Sequence, residues 1–280
     1  MTDSDKLIGF LKNKQKLVAM LAPSFPIMYD FKKIVPKLKA LGFQKVVEVS
    51  VGAKETNKQL VEYFSSHPQA RLIASPCASF VRFIKTKHPE FLASLALNID
   101  SPMVATAKIV KEKYPGYQPV FIGPCVVKKL EASQDYPDLN ILVLTYRELE
   151  SVFSQLHYTP YNLLPKNKNN FDLSEKSTRL YPADGGLTNS SGIRDILGSD
   201  AIRIVSGYKN CESSLTEFKN NQKIRLLDIL FCEGGCISGP GITSSLSIEE
   251  RKKKIADYSS NNDAATSQVL FKLLNISEQK

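Results

Sequence analysis

Apolar and polar positions follow two periods along this chain, and their succession predicts its architecture. LVAMLAP (17–23) is a continuous apolar run ending at a proline, as expected of a strand buried on both faces. Over 24–43 the apolar residues Phe31, Ile34, Val35, Leu38 and Leu41 recur at helical spacing, and Gly42 is the stop. KVVEVSVGA (45–53) predicts a second strand, Lys54 to Ser65 a helix, and RLIASPC (71–77) a third strand. Phe80 to Lys87 predicts a short helix closed by His88-Pro89. Ser101-Pro102 opens a helix over Met103 to Lys113, because proline in the first turn gives up only an amide that would go unpaired. QPVFIGPC (118–125) predicts a strand, and LNILVLTYRELESVFSQL (139–156) a strand followed by a helix.

Strand and helix thus alternate through residue 156, which implies parallel strands joined by helical crossovers. Residues 1–14 predict a short helix or arm. Residues 158–180 are polar, rich in Asn and Lys, and predict an excursion between two lobes. After Gly185-Gly186 come a short apolar-patterned segment at Ile193 to Leu197, the strand AIRIVSG (201–207), a helix from Ser213, and the strand LLDILFC (226–232). A charged helix follows Ser247. The expectation is one α/β unit over 1–280, with lobes at 1–157 and 181–280, each a mainly parallel sheet flanked by helices.

Composition narrows the class. The 280 residues are 42% hydrophobic and 23% charged, ordinary for a chain with a large core. No apolar run reaches the roughly 18 residues of a membrane span. The N-terminus, MTDSDKLIGFLKNKQK, lacks the basic-then-apolar order of a signal peptide, so a cytoplasmic protein is expected, with no membrane partner. The net charge of +9 is spread over helix faces (Lys32, Lys33, Lys37, Lys39; Lys108, Lys111, Lys113), with one short block at 251–254. Such a distribution reads as solvated surface, or as docking for an acidic redox partner, ahead of nucleic-acid binding.

The cysteines carry the chemistry. Five are present, an odd count that argues against a disulfide framework. Cys77 and Cys125 end predicted strands in SPC and GPC. Cys232 and Cys236 share the glycine-rich FCEGGCISGPG (231–241), close enough to grip one centre. Strand C-terminal ends in α/β sheets open onto a common crevice. Four thiols there predict an iron–sulfur or zinc site at the lobe interface. Cys211, in polar GYKNCESS, is set aside as a surface or structural thiol. His67, His88 and His157 lie in polar or loop contexts and are not expected to be ligands.

These motifs resemble a family, the catalytic domain of [FeFe]-hydrogenases (the iron-only hydrogenase large subunit). ASPCASFVR (74–82), GPCVVKKLEA (123–132) and FCEGGCISGPG (231–241) correspond in order and spacing to its three cysteine signatures. APSF (22–25), LKALGFQKVVEVSVGA (38–53), HPEF (88–91), SPMVAT (101–106) and LTYRELESVF (144–153) extend the likeness over nearly the whole chain. The resemblance implies a [4Fe-4S] cluster held by Cys77, Cys125, Cys232 and Cys236. It also implies that Cys236 bridges to a diiron unit carrying CO and cyanide, the two together forming the H-cluster. Lys128 corresponds to the family lysine that hydrogen-bonds a cyanide; from the chain alone it is also one half of a Lys-Lys pair. The implied function is interconversion of protons, electrons and H2 by a minimal form without ferredoxin-like modules, fed by a ferredoxin-like electron carrier.

The proton relay departs from the family. Pro76 stands where a cysteine would carry protons, and the relay glutamate and serine align with Leu60 and Ala96. Two pocket methionines become Gly123 and Leu230. Glu233, between the last two cysteines, is a candidate substitute donor, or a capping or solvated carboxylate. Alternatives are a hydrogen-sensing protein with slow turnover and a [4Fe-4S] protein lacking the diiron unit. A zinc or nucleic-acid module ranks last.

Overall fold

The computed structural model describes residues 1–156, 170–261 and 263–276. Seven strands form two parallel sheets. The first sheet has the order β2 (Lys45–Glu48), β1 (Leu17–Leu21), β4 (Gln118–Gly123), β5 (Leu142–Thr145). The second has the order β3 (Leu72–Ile73), β7 (Leu226–Leu230), β6 (Ile202–Ser206). The helices are α1 (Asp3–Lys12), α2 (Ile34–Leu41), α3 (Ser50–Ser66), α4 (Ala78–Lys87), α5 (Pro102–Lys113) and the single turn α6 (Lys128–Leu130). They continue with α7 (Tyr146–Gln155), α8 (Gly186–Ser191), α9 (Ile193–Leu197), α10 (Tyr208–Asn220), α11 (Ile248–Ser259) and α12 (Ala264–Ile276). No helix among the described residues is long and apolar enough to cross a membrane.

Local chemistry sets the element ends. Thr145 and Glu148 form a reciprocal capping box at α7, and Ser247 and Glu250 another at α11, each satisfying amides that a helix start leaves unpaired. Ser101 caps α5 ahead of Pro102, as the Ser-Pro pair predicts. In β7, Leu226 packs on one side of its sheet, toward Leu60 and Ile193. Leu227 and Ile229 face the other, toward Phe80, Ile84 and Leu215. The second sheet is therefore covered on both faces, as a parallel sheet requires.

The structure departs from the expected lobes. β3 lies early in the chain yet pairs with β7, in register Leu72 with Leu226. The C-terminal α11 does the reverse, burying Ile255 and Tyr258 in the core of the first sheet, where Tyr258 meets Phe25 edge-on at 5.0 Å. A cut near residue 157 does not separate the two sheets. The expected excursion lies outside the described residues up to 169; beyond it, Leu173 bridges to Val47 at the edge of the first sheet.

Two element boundaries also shift. The strand expected over 45–53 stops at Glu48, and Ser50 already opens α3. There α3 crosses α5 so closely that a Cβ on Gly52 would stand 2.2 Å from the Pro102 carbonyl oxygen, and this packing overrides the strand-like Val-Ser-Val pattern. The strand expected over 71–77 shortens to Leu72–Ile73, leaving an irregular run that carries Pro76 and Cys77 toward the crevice.

Candidate metal centre

The four cysteines project from the C-terminal ends of strands in both sheets. Cys77 is the N-cap of α4 beyond β3, and Cys125 follows β4 of the first sheet. Cys232 and Cys236 lie just past β7. Glycines make the approach possible. Gly235 has φ 97°, and a Cβ there would stand 2.6 Å from the Pro182 carbonyl oxygen. Gly241 donates its amide to the Pro124 carbonyl at 2.7 Å, tying the loop of Cys236 to the loop of Cys125. The Phe231 amide donates to Cys77 Sγ at 3.5 Å, tying the β3 and β7 ends.

Electrostatics bind the set together. Burial, then repulsion from Cys125, pushes the Cys77 thiol up; amide donors and Lys128 oppose the shift. Burial and the charges of Cys77 and Cys125 push Cys232 up to about 12. Burial and all three other sulfurs raise Cys236 well above the ordinary thiol value. Burial and mutual repulsion favour the protonated thiols, and a metal cluster supplies the positive charge that compensates the thiolates when the protons leave. Among the described residues no group of three or more His, Cys, Asp or Glu is arranged to hold a single metal ion. A lone zinc ion, with bonds of about 2.3 Å to each sulfur, needs tight convergence. Four thiols from three loops suit the wider body of an iron–sulfur cluster. The donor set fits that group.

Beside Cys236 lies an apolar cavity, walled by Pro76, Pro102, Met103, Phe121 and Leu230, with Lys128 as its one cation. Lys128 is buried, 8% exposed. Its Nζ donates to the Pro76 carbonyl at 3.1 Å and to Ser101 Oγ at 3.1 Å, and it pairs with Glu131 at 2.5 Å. Burial works against its charge, but Glu131, Cys125 and Cys236 hold its pKa above the ordinary lysine value. A Cβ on Gly123 would meet the Phe121 ring at 2.6 Å, so that ring occupies the space a larger side chain would take.

The remaining expected residues fall outside the cavity. Glu233 is exposed, its carboxylate laid over Gly207, where a Cβ would stand 2.2 Å from Oε2. Glu233 does not line the cavity beside Cys236. Leu60 is buried against the second sheet, and the Ala96 carbonyl accepts from Ser75 Oγ at 2.7 Å. Cys211 is no surface thiol: it is fully buried on α10, its sulfur donating to the Leu230 carbonyl at 3.7 Å, and burial pushes it up to about 12. His67 stacks on Tyr63, and His88 sits between Glu90 and Glu212. His157 lies outside the described residues. Sequence reasoning missed Glu131, whose i,i+3 spacing from Lys128 was the available signal.

The profile of the iron only hydrogenase large subunit, C-terminal domain, matches residues 15–240. The chain is 24% identical over 277 residues to the probable cytosolic Fe-S cluster assembly factor oxy-4 of Caenorhabditis elegans, covering 80% of this chain and 60% of that protein. It is 24% identical over 260 residues to iron hydrogenase 1 of Clostridium pasteurianum, covering 75% of this chain and 45% of that protein. It therefore spans about half the length of these relatives. A variant of the [FeFe]-hydrogenase HydA1 from Chlamydomonas reinhardtii superposes with TM-score 0.70 at 15% identity, covering 97% of this chain and 94% of that one, which shows the shared fold.

Proposed function

The chain belongs to the iron only hydrogenase large subunit, C-terminal domain family, and on that premise we propose that it interconverts protons, electrons and H2. One observation carries this reading. The cavity against Cys236 is mainly apolar, with Ser24 and Tyr181 also in its wall and Lys128 as a buried ammonium, a setting for a small anionic group attached through that cysteine. Cys77, Cys125, Cys232 and Cys236 would hold a [4Fe-4S] cluster. Cys236 would also reach a diiron unit with CO and cyanide ligands in the cavity. When bound, that unit supplies the redox chemistry of H2.

The chain's own residues do the rest. Lys128 offers N–H donors to an anionic ligand by exchanging one of its present partners. Met103, Phe121 and Leu230 exclude bulk water, which strengthens every charge interaction inside. Cys125, Cys232 and Cys236 are each partly exposed, and an electron carrier would dock on their side. A net charge of +9 supports an acidic ferredoxin-like donor. Added salt should weaken that reduction.

A second reading is a [4Fe-4S] protein without the diiron unit. Pro76 favours it, since this residue in the cavity wall has no titratable group. The relative oxy-4, a probable assembly factor, lends it further support. Reconstitution with iron and sulfide, then addition of a synthetic diiron complex, separates the two. Infrared bands of bound CO and cyanide with H2 formation support the first reading. A cluster without those bands supports the second, and no iron uptake rejects both.

A further inference from the structure

Behind the wall that holds Lys128 lies a second cavity, open to the surface. Ser101 and Glu131 line its inner end, and Leu97, Gln134 and Tyr136 stand toward its mouth. Glu131 is buried, 7% exposed, and its Oε2 meets Lys128 while finding no other partner among the described residues. Lys128 itself lines the inner cavity, beside Pro76 and Cys236. The Lys128–Glu131 pair therefore stands between the two cavities. Ser101, bonded to the same ammonium, also faces the outer side. The other charges around the mouth are engaged: Asp135 accepts from Arg82 at 2.7 Å and from Lys85 at 2.9 Å.

We propose that Glu131 and Lys128 form a proton inlet, passing protons from water in the outer cavity to the inner one. This rests on the hydrogenase reading for its purpose and on geometry for its path. The step conserves protons. Lys128 releases one N–H proton into the inner cavity and is left as an amine. The Glu131 carboxylate takes a proton from water at the outer mouth, and the protonated Glu131 then passes it to that amine, so one proton has entered and the ammonium–carboxylate pair is restored. The inlet bypasses Pro76, and it explains why a buried carboxylate sits at the end of a water-facing cavity against the lysine.

The test follows exchange of the Lys128 Nζ protons with water by nuclear magnetic resonance, in the full chain with nitrogen-15 lysine, before and after reconstitution with iron and sulfide. Leu97→Trp and Gln134→Trp place a large ring at the outer mouth, on exposed positions. Glu131→Gln removes the carboxylate while keeping its shape. Exchange should slow by about tenfold or more in the rim variants and in Glu131→Gln, the scale on which a positioned acid–base group acts. H2 formation by the loaded protein should fall in step. Exchange within about twofold of the parent in both rim variants overturns the inlet, whatever the H2 assay gives. Absence of H2 formation in the parent protein counts against the hydrogenase reading alone, and the exchange result still decides the inlet.

Discussion

Lys128 Nζ donates to the main-chain carbonyl of Pro76 at 3.1 Å. The contact joins the loop after β4 to the loop after β3, and so links the two sheets at the thiol site. Its partner Glu131 balances the charge that makes the bond strong.

Lys128→Ala should destabilise the fold by about 3 kcal/mol or more, because it leaves Glu131 as an uncompensated buried carboxylate. Adding Glu131→Ala should recover part of the loss. Denaturant titration of both singles and the double measures the coupling. Strict additivity would mean that the pair does not act as one unit.

The thiols should divide cleanly on serine substitution. Cys232→Ser should lower bound iron below the roughly four per chain of a full cluster. Cys211→Ser should keep the iron, since Cys211 bonds the Leu230 carbonyl from behind the site. Iron and sulfide analysis with the visible absorption band reads both. Loss of iron in Cys211→Ser would make it a ligand after all.

Pro76→Cys places a proton carrier in the cavity wall while keeping the carbonyl that Lys128 holds. Turnover should rise by about 100-fold if proton supply limits it. The H2 assay is run on protein showing equal infrared bands for both forms. An unchanged rate would move the limit to another step.

Glu175 carries a predictable acid sensitivity. Its bond to Lys54 at 2.6 Å, with amide donation from Ser177, lowers its pKa from 4.5 to about 2. A depressed carboxylate stabilises the fold above pH 4.5, and that contribution disappears as pH falls toward about 2. Lys54 is largely exposed, so the effect is at most about 1 kcal/mol. Glu175→Gln should flatten this part of the pH–stability curve. An identical slope in the variant would assign the acid loss elsewhere.

Strand–helix order was legible because it is local. A run such as LVAML declares its burial within five residues, and Ser101-Pro102 sets a helix start from two. The thiol set was legible for the same reason, with Cys77, Cys125 and Cys232 at the ends of apolar-rich runs and Cys236 four residues beyond Cys232. What the chain could not show locally was which sheet a strand would join. Leu72–Ile73 is too short to carry a period, and its place beside Leu226 rests on contacts across most of the chain. The same holds at the site. Glu233 looked chemically suited between two cysteines, yet folding turns it to the surface over Gly207. Glu131 carried no separate reading from the sequence. Burial beside Lys128, between two cavities, decided its environment, because solvent exposure is set by what packs from elsewhere. The amino-acid order alone determined the parallel strand–helix architecture and the four sulfurs that end its strands. The tertiary structure decided which charges stay in water and which face the chamber.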